Sequence, residues 1–374
     1  MNLADYLSDL ETLVNIDSGS YDAAGVDKVG DFVAARLTAL GCRVERRTVS
    51  PGTGDIVIGR RRGAGGPRVL LLAHMDTVFE AGTAAARPFS TDGRRAYGPG
   101  VCDDKGGLLA GLYALETVLR RGREPYGELI LCCSPDEEVG GAGSRAVIED
   151  LARESDHALC LECARENGDL VRARKGVADL TITVEGRAAH AGIEPERGAD
   201  AALAAAHLVI GLHALNGLAD GVTVNAGVIR AGARPNIVCP EATIEAEIRA
   251  GALRDLDAAL HAVDLLAAVP QVPGTRATVR RGTVCPPMET TPASLRMLDL
   301  ARAIARDAGF TLEAAATGGV GDANLTAGTG TPTLDGLGPI GGADHSEDEW
   351  LDLASVEPRV TLLADLIERL AEAS

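Results

Sequence analysis

The sequence predicts an α/β protein in two parts. One is a sheet covered by helices on both faces; the other is a smaller ferredoxin-like α+β domain inserted into it. Three observations carry this. Up to Leu161, short unbroken apolar runs alternate with segments of helical period. Near Val177 the texture changes to strands in which apolar and polar residues alternate. From there the order reads β-α-β-β-α-β, the split pattern of a ferredoxin-like unit. With 374 residues the chain has room for two or three domains. We expect residues 1–175 and 286–374 to form the larger domain and 176–285 the insert.

Taken in order, Met1–Val14 reads as an amphipathic helix, with Leu3, Leu7, Leu10 and Leu13 on one face. A second helix carries Val26, Val29, Val33, Leu37 and Leu40 at helical spacing, and Gly41 stops it. Cys42–Val49 alternates as an edge strand does. Val69–Ala73 (VLLLA) and Leu129–Cys133 (LILCC) read as strands buried on both faces, with a helix over Gly107–Leu119 between them. Ala142–Leu151 reads as helix and His157–Leu161 as strand. In the insert, strands are expected at Ala178–Glu185, Val222–Ile229, Ala242–Ile248 and Arg276–Arg280, with helices at Asp200–Leu215 and Leu253–Leu266. The alternating strands at 178–185 and 242–248 are expected to leave a sheet edge that needs covering. Helices at Ser294–Ala308 and Ser355–Leu370 return to the style of the first domain.

Composition narrows the function. Asp+Glu number 54 against 36 Lys+Arg, a formal net charge of −18, so a phosphate backbone is repelled and nucleic acid is excluded as a partner. No apolar run reaches the ~18 residues of a membrane helix. The N-terminus lacks a cationic start and a cleavage site, so a signal peptide is not expected. Eight Cys are too sparse for a disulfide scaffold, which points to reduced thiols and a cytoplasmic protein. Cys160 and Cys163 have C-x-x-C spacing, but they end a strand instead of opening a helix, so neither a redox nor a structural zinc role is assigned to the pair.

Residues capable of chemistry gather where strands end. His74 and Asp76 follow VLLLA. Asp103 and Asp104 lie in the Gly-rich turn GPGVCDDKGG before a helix. Glu137 and Glu138 follow LILCCSPD, and Glu162 follows HALCL. His345 lies in a second Gly-rich loop, GPIGGADHSEDEW. Four successive strand-to-helix turns are thus expected to bring carboxylates and an imidazole to one sheet edge, where ligands of open α/β sheets bind. Such carboxylates repel one another unless a cation neutralises them. Nitrogen and oxygen donors in this number suit zinc, and one shared carboxylate makes a two-metal hydrolase.

Seven motifs, in order over nearly the whole chain, resemble the two-zinc aminoacylase and carboxypeptidase family: LLLAHMDTV, GPGVCDDKGG, SPDEEVGG, Leu161-Glu162, GRAAHAG, RPNIVCPEATIEAEIR and GADHSEDEW. The GPGVCDDKGG and TGGVGDAN segments are most similar to its glutamate carboxypeptidase branch. The resemblance implies a mixed-sheet zinc-hydrolase catalytic domain with an inserted dimerisation domain, and two zinc ions per subunit, with cobalt or manganese as alternatives. His74 and Glu162 would complete one zinc site, Glu138 and His345 the other, with Asp103 bridging them. Glu137 would be the general base and Asp76 would orient His74. The Asp103–Asp104 peptide bond would be cis. His190 of GRAAHAG would act in the partner subunit of a homodimer, and Asn236 and Arg249 would bind the substrate carboxylate.

The implied reaction is zinc-dependent hydrolysis of an amide or peptide bond next to a free carboxylate, as in a carboxypeptidase acting on dipeptides or N-acyl amino acids. The alternative is an N-acyl-amino-acid deacylase. The chain departs from the pattern at Asp169, where glutamate-specific relatives carry a Lys. The nearest cations are Arg172, Arg174 and Lys175. It departs again at Arg281-Gly282-Thr283, where the family has Arg-Gly-Arg.

Overall fold

The computed structural model describes residues Met1–Glu372. It divides into two compact units. The first comprises Met1–Ala173, Thr290–Thr317 and the chain from Gly321 onward; the second is Arg174–Glu289 with Gly318–Val320.

The first unit is built on a six-stranded mixed sheet. Its order is Arg43–Thr48, Asp55–Arg62, Glu128–Ser134, Arg68–His74, His157–Cys160, Thr333–Leu334. The first three strands pair antiparallel; the last four, sharing Glu128–Ser134, are parallel. The VLLLA and LILCC runs become parallel neighbours because both of their faces are covered. Val69, Leu71 and Ala73 share one core with Leu129, Leu131 and Cys133 and with the helices Leu3–Val14, Ala23–Ala39, Lys105–Arg120 and Leu353–Glu372. The alternate residues Leu70, Leu72 and Ile130 are fully buried as well.

Three features of this unit were not expected from the sequence. The strand Asp55–Arg62 ends in three arginines, which hides its apolar half. Its polar half is accommodated by ion pairs, Arg60 to Glu128 at 3.1 Å and Arg61 to Glu124 at 2.8 Å. A small sheet joins Gly341–Gly342, Trp350–Asp352, Arg95–Tyr97 and Ser90–Thr91, strands too short to leave a period. The helix expected from Ala142 begins at Arg145. Ahead of it Gly141 is left-handed at φ 61°, and the Asp136 carboxylate accepts the N–H groups of Gly143 at 2.8 Å and Ser144 at 3.3 Å.

The second unit is an antiparallel sheet in the order Thr223–Ala231, Glu241–Ala250, Gly176–Glu185, Arg276–Cys285, with the helices Ala201–Ala214 and Leu253–Ala268. Ala178, Leu180, Ile182 and Val184, two apart along one strand, meet Leu208, Leu212, Leu256 and Leu260 in its core. The expectation for its edge is corrected. Gly176–Glu185 and Glu241–Ala250 are the two inner strands, and the edges are Thr223–Ala231 and Arg276–Cys285. Among the described residues no helix is long and apolar enough to cross a membrane.

Candidate active site

Three parallel strands run in the same direction, so their carboxyl ends lie side by side. His74 closes Arg68–His74. Glu137 and Glu138 form a 3₁₀ turn just beyond Glu128–Ser134, and Glu162 lies two residues past His157–Cys160. Asp103 arrives differently from expectation. Its loop comes from the small sheet, not from a main-sheet strand, and leads into the helix Lys105–Arg120. Gly107 lets that helix start against the Glu162 strand: a Cβ there would sit 1.9 Å from the Leu161 carbonyl oxygen. The Asp103–Asp104 peptide is cis.

The side chains converge around Asp103. One of its oxygens lies 2.9 Å from His74 Nε2 and the other 3.1 Å from His345 Nε2. His74 Nε2 is 3.8 Å from a Glu162 oxygen, and His345 Nε2 is 3.0 Å from a Glu138 oxygen. Two groups of donors able to hold a metal ion result, His74–Asp103–Glu162 and Asp103–Glu138–His345, sharing Asp103. Both His345 and its neighbour Ala343 adopt left-handed backbone, at φ 63° and 58°, a conformation uncommon for residues with a side chain and found at functional sites.

Electrostatics fit a cation at this position. Burial pushes the Asp103 carboxyl up, but His345 and His74 outweigh it and hold it below the usual range. Burial and then Glu162 push Glu137 well above its ordinary value. Burial also raises Glu138, with His345 working against it. Asp103 and then Glu138 lift the His345 imidazole to about 11. Carboxylates packed this closely call for a counter-charge, which a metal ion supplies. Two imidazoles and three carboxylates, one of them shared, fit a pair of zinc ions by donor chemistry.

Asp76 was expected to orient His74, and its contacts reach further than that ring. The hydrogen on His74 Nδ1 is directed to the Asp76 main-chain oxygen at 3.0 Å, with the carboxylate at 3.5 Å. That carboxylate accepts the N–H groups of Glu137 at 3.1 Å and Glu138 at 3.2 Å and the Ser20 hydroxyl at 2.6 Å. Two further buried acids were missed from the sequence. The Asp322 carboxylate, pushed up by burial to about 6, accepts the Ser134 hydroxyl at 2.6 Å. Glu349 accepts the N–H groups of Gly100, Cys102 and Asp103. The GVGDAN segment held a signal for Asp322. Glu349 sits in an acidic run that reads as surface.

The remaining residues singled out from the sequence belong to the second unit or its border. His190 is exposed and bridges to Ile237, and the Asn236 main-chain oxygen accepts the Ala191 N–H at 3.1 Å, so GRAAHAG and RPNI are adjacent loops. The Arg249 fork is engaged by the Glu247 carboxylate at 2.7 and 3.0 Å, and its third nitrogen donates to the Gly318 oxygen at 2.6 Å. Arg172 donates to the Thr290 hydroxyl at 3.2 Å and Arg174 to the Gly319 oxygen at 3.4 Å. Asp169 accepts from Asn167 at 3.0 Å.

Two donor groups that share one carboxylate, with a further buried acid beside them, fit a metal-dependent hydrolase. The chain belongs to the peptidase family M20/M25/M40, whose model matches residues 70–369. It is 34% identical to carboxypeptidase G2 of Pseudomonas sp. (strain RS-16) over 364 residues, 96% of this chain and 87% of that one. Over 226 residues it is 30% identical to an acetylornithine deacetylase of Myxococcus xanthus, covering 56% of this chain and 57% of the relative. The crystal structure of aminopeptidase PepT from Bacillus cereus superposes with a TM-score of 0.83 at 23% identity over 99% of both chains, a likeness of fold.

Proposed function

We propose that the protein is a zinc-dependent carboxypeptidase that cleaves the amide bond of dipeptides or N-acyl amino acids next to a free carboxylate. The observation that carries this reading is Asp103, whose two oxygens face His74 at 2.9 Å and His345 at 3.1 Å. His74, Asp103 and Glu162 would hold one zinc ion, and Asp103, Glu138 and His345 the other. When bound, the ions polarise the scissile carbonyl and acidify a water. Glu137 takes the proton of the attacking water and returns it to the leaving amine; its raised pKa suits both steps. Asp76 fixes the backbone of Glu137 and Glu138 while holding His74 in one tautomer.

Asn236 and Arg249 would bind the substrate carboxylate, with Arg249 exchanging Glu247 for it. His190 of the partner subunit of a homodimer would support the oxyanion. A cytoplasmic setting goes with this reading, because eight Cys in 374 residues are too sparse for a disulfide scaffold. The deacylase reading is supported by the acetylornithine deacetylase relative. Product analysis with stripped enzyme, reloaded with zinc, cobalt or manganese, tests the proposal on panels of dipeptides and of acetyl and succinyl amino acids. Turnover of dipeptides supports the peptidase. Turnover confined to the acyl panel transfers the site to the deacylase reading, and none on either rejects both.

A further inference from the structure

Three side chains that the proposed hydrolysis does not use are chain neighbours of residues that it does. Cys102 precedes Asp103, Cys163 follows Glu162, and Asp344 precedes His345. The loops that bring together the first set therefore bring together the second. One donor atom from each of the three lies within 4.8 Å of the others. Cys102 Sγ is 3.0 Å from an Asp344 oxygen, and Cys163 Sγ is 3.8 Å from both Asp344 oxygens. Zinc binds thiolates at about 2.3 Å and carboxylates at about 2.0–2.2 Å, so tetrahedral ligands stand roughly 3.5–3.8 Å apart. The spacing here already approaches that.

Access and chemistry agree with the spacing. Cys163 and Asp344 line a cavity of about 400 Å³ that Glu166, Gly341 and Ala343 also border. Cys102 is buried beside them. Cys160, the C-x-x-C partner by spacing, is absent from the group, so Cys163 finds its companion across the fold. Two sulfurs and one oxygen differ in kind from the nitrogen and oxygen donors around Asp103. Soft donors select zinc or cadmium over magnesium or calcium.

We propose that Cys102, Cys163 and Asp344 form a third metal site, separate from the proposed catalytic pair, for a thiophilic divalent cation of the zinc class. Three ligands come from the protein, and the cavity leaves the fourth position to water or a small ligand. Each ligand is bonded through the main chain to a residue of the first set. Occupancy therefore ties the Asp103, Glu162 and His345 loops to one another.

The test titrates cadmium into zinc-loaded protein and follows the thiolate-to-cadmium charge-transfer band in the ultraviolet. Imidazole and carboxylate ligands give no such band, so cadmium exchanging into the first set does not register. The expected result is a band that saturates at one equivalent. Cys163→Ser, which leaves the Cys102 sulfur alone, should cut the band to half or less, and the exposed Asp344→Asn, which disturbs no packing, should weaken cadmium binding by about tenfold or more. Circular dichroism confirms that both variants fold. A band of equal amplitude and affinity in both variants, or no band at all in the parent, overturns the third site. The measurement uses no substrate, so its failure is distinct from failure of the proposed hydrolysis.

Discussion

Glu349 holds Asp103 in place from behind: its carboxylate accepts the Asp103 N–H at 3.1 Å, together with those of Cys102 at 3.0 Å and Gly100 at 2.9 Å. Burial pushes this acid up to about 7 against the pull of the three donors. A group so costly to bury, so fully bonded, fixes the one loop that supplies the shared carboxylate.

Glu349→Ala leaves these buried N–H groups without an acceptor, at about 1–3 kcal/mol each. We expect a lower melting temperature and a metal content that falls on dialysis, with activity recovering in part as zinc is added back. Glu349→Gln keeps one oxygen acceptor and should lie between. Metal content and melting equal to the parent in Glu349→Ala would show that the loop holds Asp103 unaided.

Much of this arrangement was legible in the sequence, because apolar runs fix which strands are buried and the acids follow them directly. His74, Glu138 and Glu162 end up together for that reason. Asp103 was legible as a residue but not by route, since its loop leaves a sheet of two- and three-residue strands. The role of Glu349 was hidden because its partners are main-chain groups 246 to 249 residues away, which no spacing rule reaches. The Arg249–Glu247 pair was hidden differently. Residues two apart in a strand share a face, but the sequence does not say whether an arginine there is free for a ligand or already taken.

Glu137 and Glu138 are adjacent yet should fail differently. Glu137→Gln keeps shape but cannot accept a proton, so turnover should drop by about 10²–10⁴ with metal content unchanged. Glu138 faces His345 at 3.0 Å, so Glu138→Gln should lose about one metal equivalent per subunit. Metal analysis beside kcat separates the two. Retention of more than about a tenth of parental turnover in Glu137→Gln would remove it from the role of general base.

Removing the metals should expose the repulsion among these acids. Chelation leaves Asp103, Glu138 and Glu162 around two imidazoles, with burial already raising Glu138. A ligand at a hundred times its Kd stabilises the folded state by about 2.7 kcal/mol. Zinc returned at that level should raise the melting temperature of stripped protein by roughly 3–5 °C. An unchanged melting curve would mean that zinc does not bind the folded chain.

The last prediction concerns whether one chain suffices. His190 is exposed on the second unit, in a loop beside the Asn236 loop, and the proposed function assigns it to the partner's site. Thr223–Ala231 and Arg276–Cys285 are the edge strands of their sheet, where the proposed second copy would pair across a two-fold axis. Exposed Leu203 and Ile210 add apolar surface on the helix Ala201–Ala214. The check mixes two inactive variants, His190→Ala and Glu137→Gln. If His190 acts across the interface, each mixed dimer carries one site with both defects and one with neither, so activity returns to at most about half per mixed dimer. If His190 serves its own chain, every site keeps one defect and nothing returns, however completely the subunits exchange. Light scattering comes first, because a monomer at assay concentration would exclude the shared site before any mixing.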